Sequence, residues 1–133
     1  MARAAHPLRQ LIHERILVMD GGTGTMLQEY ALDEAGFRGT RFADHHMPVV
    51  GCNDLLCLSR PEIIERLHSG YLAVGSDIVE TNTFNANSFS LADYDLQNLT
   101  YEINLEATRI ARAQCDAFTA QNPAKPRFVF GSM

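Results

Sequence analysis

Three short apolar runs, separated by stretches of helical spacing, constrain this chain more than any other feature. "ILVMD" (residues 16–20), "DIVET" (77–81) and the "RFVFG" of residues 127–131 have the length and composition of buried strands. Between them lie helical patterns. A leading helix over His6 to Arg15 has Leu8, Leu11 and Ile12 at helical spacing. "TGTMLQEYAL" starts a second, with Met26, Leu27 and Tyr30 on its apolar face. Ile63, Leu67, Tyr71 and Val74 mark a third, with Ser59 and Glu62 at capping-box spacing, Pro61 in the first turn and Gly75 as its stop. A long fourth helix runs from about Leu99 to Ala120, striped by Ile103, Ala107, Ile110, Ala111, Gln114 and Phe118. Alternating strands and helices predict an α/β fold with a parallel sheet and crossover helices. A doubly wound open sheet and a (β/α)8 barrel both satisfy the pattern. Both gather ligands at the carboxyl ends of strands, where Asp20, Gly21 and Thr81 fall.

One region resists this scheme. Residues 32–58 carry Gly and polar residues with no sustained period, and they read as a long insertion of the functional or mobile kind. The chain also reaches its end at the third strand. With 133 residues it is too short for a barrel, which needs roughly 200 or more. It is therefore expected to be the amino-terminal β-α-β-α-β portion of a longer protein.

Composition removes several functional classes. At 46% apolar and 20% charged residues the chain is expected to fold. A formal charge of -5, one lysine (Lys125) and ten scattered arginines offer no phosphate-binding face, so no nucleic-acid partner is expected. No apolar run approaches the roughly 20 residues that span a bilayer, and "MARAAHPLRQLIHER" lacks a signal-peptide core. A cytoplasmic protein without membrane contact is expected. Cys52, Cys57 and Cys115 are odd in number and wrongly spaced for a zinc site, and they read as small apolar residues.

Two polar stretches follow the strands. "DGGTGTM" departs from both glycine-rich nucleotide loops, because Leu27 stands where a third glycine belongs and no Gly-Lys-Ser/Thr follows. Two readings stand. Asp20 caps a tight strand-to-helix turn, or Asp20 takes the ammonium of a zwitterion while bare N–H groups hold its carboxylate. "ETNTFNAN" (80–87) packs one Glu, two Thr and three Asn into eight residues. Turn-forming roles account for about half of them. Thr81 is expected beside Asp20, with Glu80 turned away or paired. His45 and His46 read as a solvated loop, and His68 as a surface or interface residue.

Taken together, "LVMDGGTGTMLQ", "NDLLCLSRPEIIERLHSGYLAVGSDIVETNTFNAN" and "YEINLEATRIARA" resemble the start of the homocysteine-binding domain of cobalamin-dependent methionine synthase. The resemblance covers about Ile12 to Met133 and includes "FRGTRFADHHMPVVGCND", a stretch reduced or different in shorter homocysteine methyltransferases. The closing "GSM" resembles the opening of a longer glycine motif. The resemblance implies a (β/α)8 barrel that holds homocysteine through a zinc thiolate. It implies methyl transfer from methylcobalamin, recharged by 5-methyltetrahydrofolate, to give methionine. It places Asp20 and Gly21 at the amino-acid end of homocysteine and Thr81 near its carboxylate. The candidate substrate-binding set is Asp20, Gly21, Gly22, Thr81 and Asn82; no catalytic or metal-binding residue is assigned in this chain.

The family's zinc cysteines lie on later strands and have no counterpart in Cys52, Cys57 or Cys115. Zinc and cobalamin are thus expected only with the missing barrel strands and the downstream folate and cobalamin modules. Alone, the chain is expected to be inactive and to self-associate through its exposed strand edge. Two alternatives are a betaine-type zinc-dependent homocysteine methyltransferase fragment and a non-catalytic half-barrel module that needs a partner.

Overall fold

The computed structural model of the chain describes residues 6–132, so the first five residues of the amino-terminal stretch and the last residue of "GSM" lie outside it. Two strands, β1 (Ile78–Glu80) and β2 (Phe128–Phe130), pair in parallel with Ile78 opposite Phe128 and Glu80 opposite Phe130. Long helices lie before each: α5 (Pro61–Ala73) precedes β1, and α7 (Thr100–Gln121) is the crossover to β2. Shorter helices complete the order: α1 (Pro7–Glu14), α2 (Thr23–Gln28), α3 (Glu34–Arg38), α4 (Leu56–Ser59) and α6 (Ser88–Ala92). α5 and α7 cover the sheet face that carries Val79 and Val129, burying Leu72, Ala111 and Cys115 beneath them. Ser69 Oγ donates to Gln114 Oε1 at 2.7 Å across that helix pair.

The expected first strand, residues 16–20, is corrected. Met19 makes an isolated parallel bridge to Ile78, Asp20 N–H donates to the Ile78 carbonyl at 3.0 Å, and the Val18 carbonyl accepts from Asp77 and Ile78. Ile16 is 88% and Val18 53% exposed, however, so the segment is an edge and not a buried strand. Among the described residues no strand pairs its other flank, and none of its apolar side chains joins the core clusters.

Residues 32–58, whose composition suggests a functional or mobile insertion, are packed and internally bonded. The Glu34 carboxylate accepts N–H bonds from Val49 and Val50 at 3.0 Å. The Arg38 guanidinium bonds that carboxylate at 2.6 Å and the carbonyls of Phe42, Ala43, His45 and Met47. One ion pair on α3 thereby satisfies a turn's worth of backbone, and Phe37, Phe42, Val49 and Cys52 pack into the core beside Leu55 and Leu56. Each fully buried aliphatic chain contributes about 1.5–3 kcal/mol. Gly39, at φ +55°, lets this segment touch α4, since a Cβ there would stand 2.6 Å from the Ser59 carbonyl oxygen.

Two details of α5 differ from the sequence reading. Ser59 ends α4 and donates back to the Leu55 carbonyl at 3.3 Å, so the cap position passes to Arg60, which pairs with Glu62 at 2.6 Å. Val74 is 85% exposed, whereas His68 is buried with both ring nitrogens unpartnered. Burial holds that imidazole neutral and lowers its pKa to about 4.

Candidate substrate cradle at the strand ends

A cavity of about 300 Å³ opens at the carboxyl ends of the strands. The segment after residue 19 contributes Asp20, Gly21, Gly22, Thr23 and Gly24; the segment from Glu80 to Asn85 forms a second wall; Asn53, Asp54 and Ser132 complete it. All five candidates from the sequence line this one cavity.

Asp20 sits where its carboxylate bridges the sheet. Both oxygens accept the Glu80 N–H, at 3.0 and 3.1 Å, and lone pairs remain on the cavity side. Partial burial raises its pKa to about 6; the Glu80 N–H opposes the shift and the Glu80 charge adds to it. Among the described residues neither Lys, Arg nor His lines the cavity to compensate. At neutral pH the group is an ionised carboxylate short of a cation.

Gly21 and Gly24 leave open space: a Cβ at either would meet no atom within 4 Å. Packing does not require glycine there, and the bare backbone faces the cavity instead. Gly22 is different, because its φ of +40° favours glycine and a Cβ would come within 3.2 Å of the Tyr71 hydroxyl. α2 begins just beyond, without a side-chain cap, so its first-turn N–H groups have no helical partners. At six residues it is too short for a full helix dipole; the N–H groups themselves are the donors.

Thr81 lies beside Asp20, yet its hydroxyl is committed. Thr83 Oγ1 donates to the Ser132 carbonyl at 3.1 Å, which leaves Thr81 to donate to Thr83 Oγ1 at 2.7 Å while accepting the Ser132 N–H at 3.0 Å. That closed ring fixes the ends of β1 and β2 together. Asn82 donates to the Asn53 carbonyl at 2.8 Å and contacts Cys57 Sγ at 3.5 Å, tying the strand end to the insertion.

Thr83, Ser132, Asn53 and Asp54 were absent from the sequence-derived set. Asp54 had one local signal, a polar "ND" immediately before the apolar "LLCL". It is 4% exposed, and Oδ1 accepts the Asn85 N–H at 3.0 Å.

The cysteines do not fit a zinc centre. Burial pushes the Cys52, Cys57 and Cys115 thiols up to about 11, 12 and 11, and Cys115 donates to the Phe128 carbonyl. Among the described residues no group of three or more His, Cys, Asp or Glu could hold a metal ion, and no helix is long and apolar enough to cross a membrane.

A family model described as homocysteine S-methyltransferase matches residues 17–133. The fold is similar to solved structures of the homocysteine methyltransferase MmuM from Escherichia coli. Its oxidised form is 24% identical with a TM-score of 0.70, over 93% of this chain and 39% of that one. Its metallated form is 22% identical with a TM-score of 0.67, over 95% of this chain and 40% of that one. The chain thus spans about 40% of the length of these structures.

Proposed function

Because the chain belongs to the homocysteine S-methyltransferase family, we propose that it forms the part of such an enzyme that grips the amino-acid end of homocysteine. The observation that carries this reading is Asp20, a carboxylate at a strand end with no cation of its own, facing bare glycine backbone across a shared cavity. In this reading the substrate ammonium sits on Asp20, and its carboxylate takes N–H groups of residues 21–24. Asn82, and Thr81 through its hydroxyl ring, hold the opposite wall in place.

The parent enzyme is a (β/α)8 barrel in this proposal, of which residues 16–20, β1 and β2 are consecutive strands. Its methyl donor is methylcobalamin, recharged by 5-methyltetrahydrofolate, and zinc bound outside this segment keeps the substrate sulfur a thiolate. Support for that branch is the insertion, whose Asn53–Asp54 end forms part of the cavity wall. The segment supplies binding and orientation, and none of its own groups performs a covalent step.

The test is methyl transfer by the full-length protein, with methylcobalamin, betaine and S-methylmethionine offered separately as donors. Methionine formation only with methylcobalamin supports the proposal. Turnover with betaine or S-methylmethionine alone rejects the cobalamin branch, and no homocysteine methylation with any donor rejects the reading as a whole.

A further inference from the structure

Asp54 is the least explained group on the cavity wall. It comes from the insertion, not from a strand end, and it lines both the 300 Å³ cradle and an adjoining cavity of about 180 Å³. Only 4% of the residue is exposed. Oδ1 is taken by the Asn85 N–H, and among the described residues no hydrogen bond or ion pair reaches Oδ2. Asp54 lines both cavities, so this second oxygen is available to a group that enters them.

A buried carboxylate without a cation is costly, because the charge leaves water and gains only backbone N–H groups in return. Burial accordingly raises its pKa. Asp20, Asp54 and Glu80 all line the cradle, and among the described residues no Lys, Arg or His does. This charge balance suits one cationic group entering from outside. A metal ion is disfavoured, since no cluster of three ligands is formed here among the described residues.

We propose that Asp54 is a specificity residue for the substrate ammonium, a second carboxylate on the wall of the cradle that Asp20 also lines, which makes the site select a 2-amino thiol over its des-amino analogue. This rests on the reading of the cradle as the amino-acid site and adds to it a residue from the insertion. The insertion then takes part in recognition: its fold, pinned by Glu34 and Arg38, delivers one carboxylate to the cradle.

The test is calorimetric binding of homocysteine and 4-mercaptobutanoate to the full-length zinc-loaded protein. Both ligands carry the same thiol and carboxylate, so their ratio isolates the ammonium. Asp54→Asn keeps an oxygen acceptor for the Asn85 N–H and removes the charge. It should weaken homocysteine about tenfold while leaving 4-mercaptobutanoate within twofold, and Asp54→Glu should restore part of the preference. Equal weakening of both ligands, or of neither, overturns the proposal. If Asp54→Asn does not fold, carboxyl ¹³C NMR of the wild-type protein decides: the Asp54 titration moves to lower pH with homocysteine only, or the proposal fails. A wild-type protein that binds the two ligands equally refutes the cradle reading itself. A preference lost in Asp20→Asn but kept in Asp54→Asn refutes only the role of Asp54.

Discussion

Two aspartates brace opposite ends of the same small sheet, and they differ in one respect. Asp77, at the amino end of β1, accepts the Val18 N–H at 2.9 Å; Asp20, at the carboxyl end, accepts the Glu80 N–H at 3.0 Å. Each ties residues 16–20 to β1. Asp77 also receives a bidentate Arg15, at 2.7 and 2.9 Å, with Lys125 4.0 Å away. The Arg15 guanidinium holds the Asp77 carboxyl below its ordinary range, whereas burial without a cation drives Asp20 up to about 6. A carboxylate with its own cation reads as structural. One lacking a cation is poised for a ligand that brings one, consistent with function collecting at the carboxyl ends of parallel strands.

Breaking each aspartate should therefore have opposite consequences in the full-length protein. The largest effect on stability belongs to Asp77→Ala, which strands Arg15 and frees the Val18 N–H. Urea unfolding should show a loss of about 2 kcal/mol, since Arg15 stays partly solvated once its partner is gone, with homocysteine affinity of the folded protein unchanged. Asp20→Asn reverses the pattern: calorimetry should show homocysteine binding weakened by about 2 kcal/mol, roughly thirtyfold, with stability unchanged or raised and zinc retained.

Acid sharpens the contrast. Asp77 has a folded pKa below its unfolded value, so its stabilisation is present above about 3.8 and is lost as pH falls through the depressed folded value. Asp20 is raised from 3.8 to about 6, so its contribution to stability declines as pH rises across that interval. Ligand binding runs the other way, because only the ionised Asp20 holds an ammonium. The ratio of homocysteine affinity in the wild type to that in Asp20→Asn, which cancels the proton lost by the substrate thiol, should be constant well above pH 6 and shrink as pH falls through about 6. The smallest expected effect is Gly22→Ala, about 1 kcal/mol of stability from the left-handed φ and the Tyr71 contact, measured by thermal unfolding.

The regular elements were legible in sequence because their signals are local. The stripe Ile103, Ala107, Ile110 and Ala111 found its core, and "DIVET" and the 127–131 run gave β1 and β2 within a residue or two at each end. Asp20, the glycines, Thr81 and Asn82 were legible as neighbours because a parallel α/β sheet brings the carboxyl ends of its strands to one edge, where they line one cavity. What failed depended on distant contacts. Glu34 reaches Val49 and Val50, fifteen and sixteen residues away, so no window reveals that residues 32–58 are packed. The Ser59 capping box lost to a helical turn already formed upstream. His68 lies among the buried residues of α5, whereas its polar ring reads in sequence as a surface or interface group. Asp54 reaches Asn85 across 31 positions, a juxtaposition that only the folded chain reveals.

The most direct test is a crystal structure of the full-length protein with homocysteine bound. The account predicts the substrate ammonium within hydrogen-bond distance of the Asp20 carboxylate and the substrate carboxylate against the N–H groups of residues 21–24. Homocysteine seated elsewhere, with Asp20 bonded only to the Glu80 N–H, would contradict it.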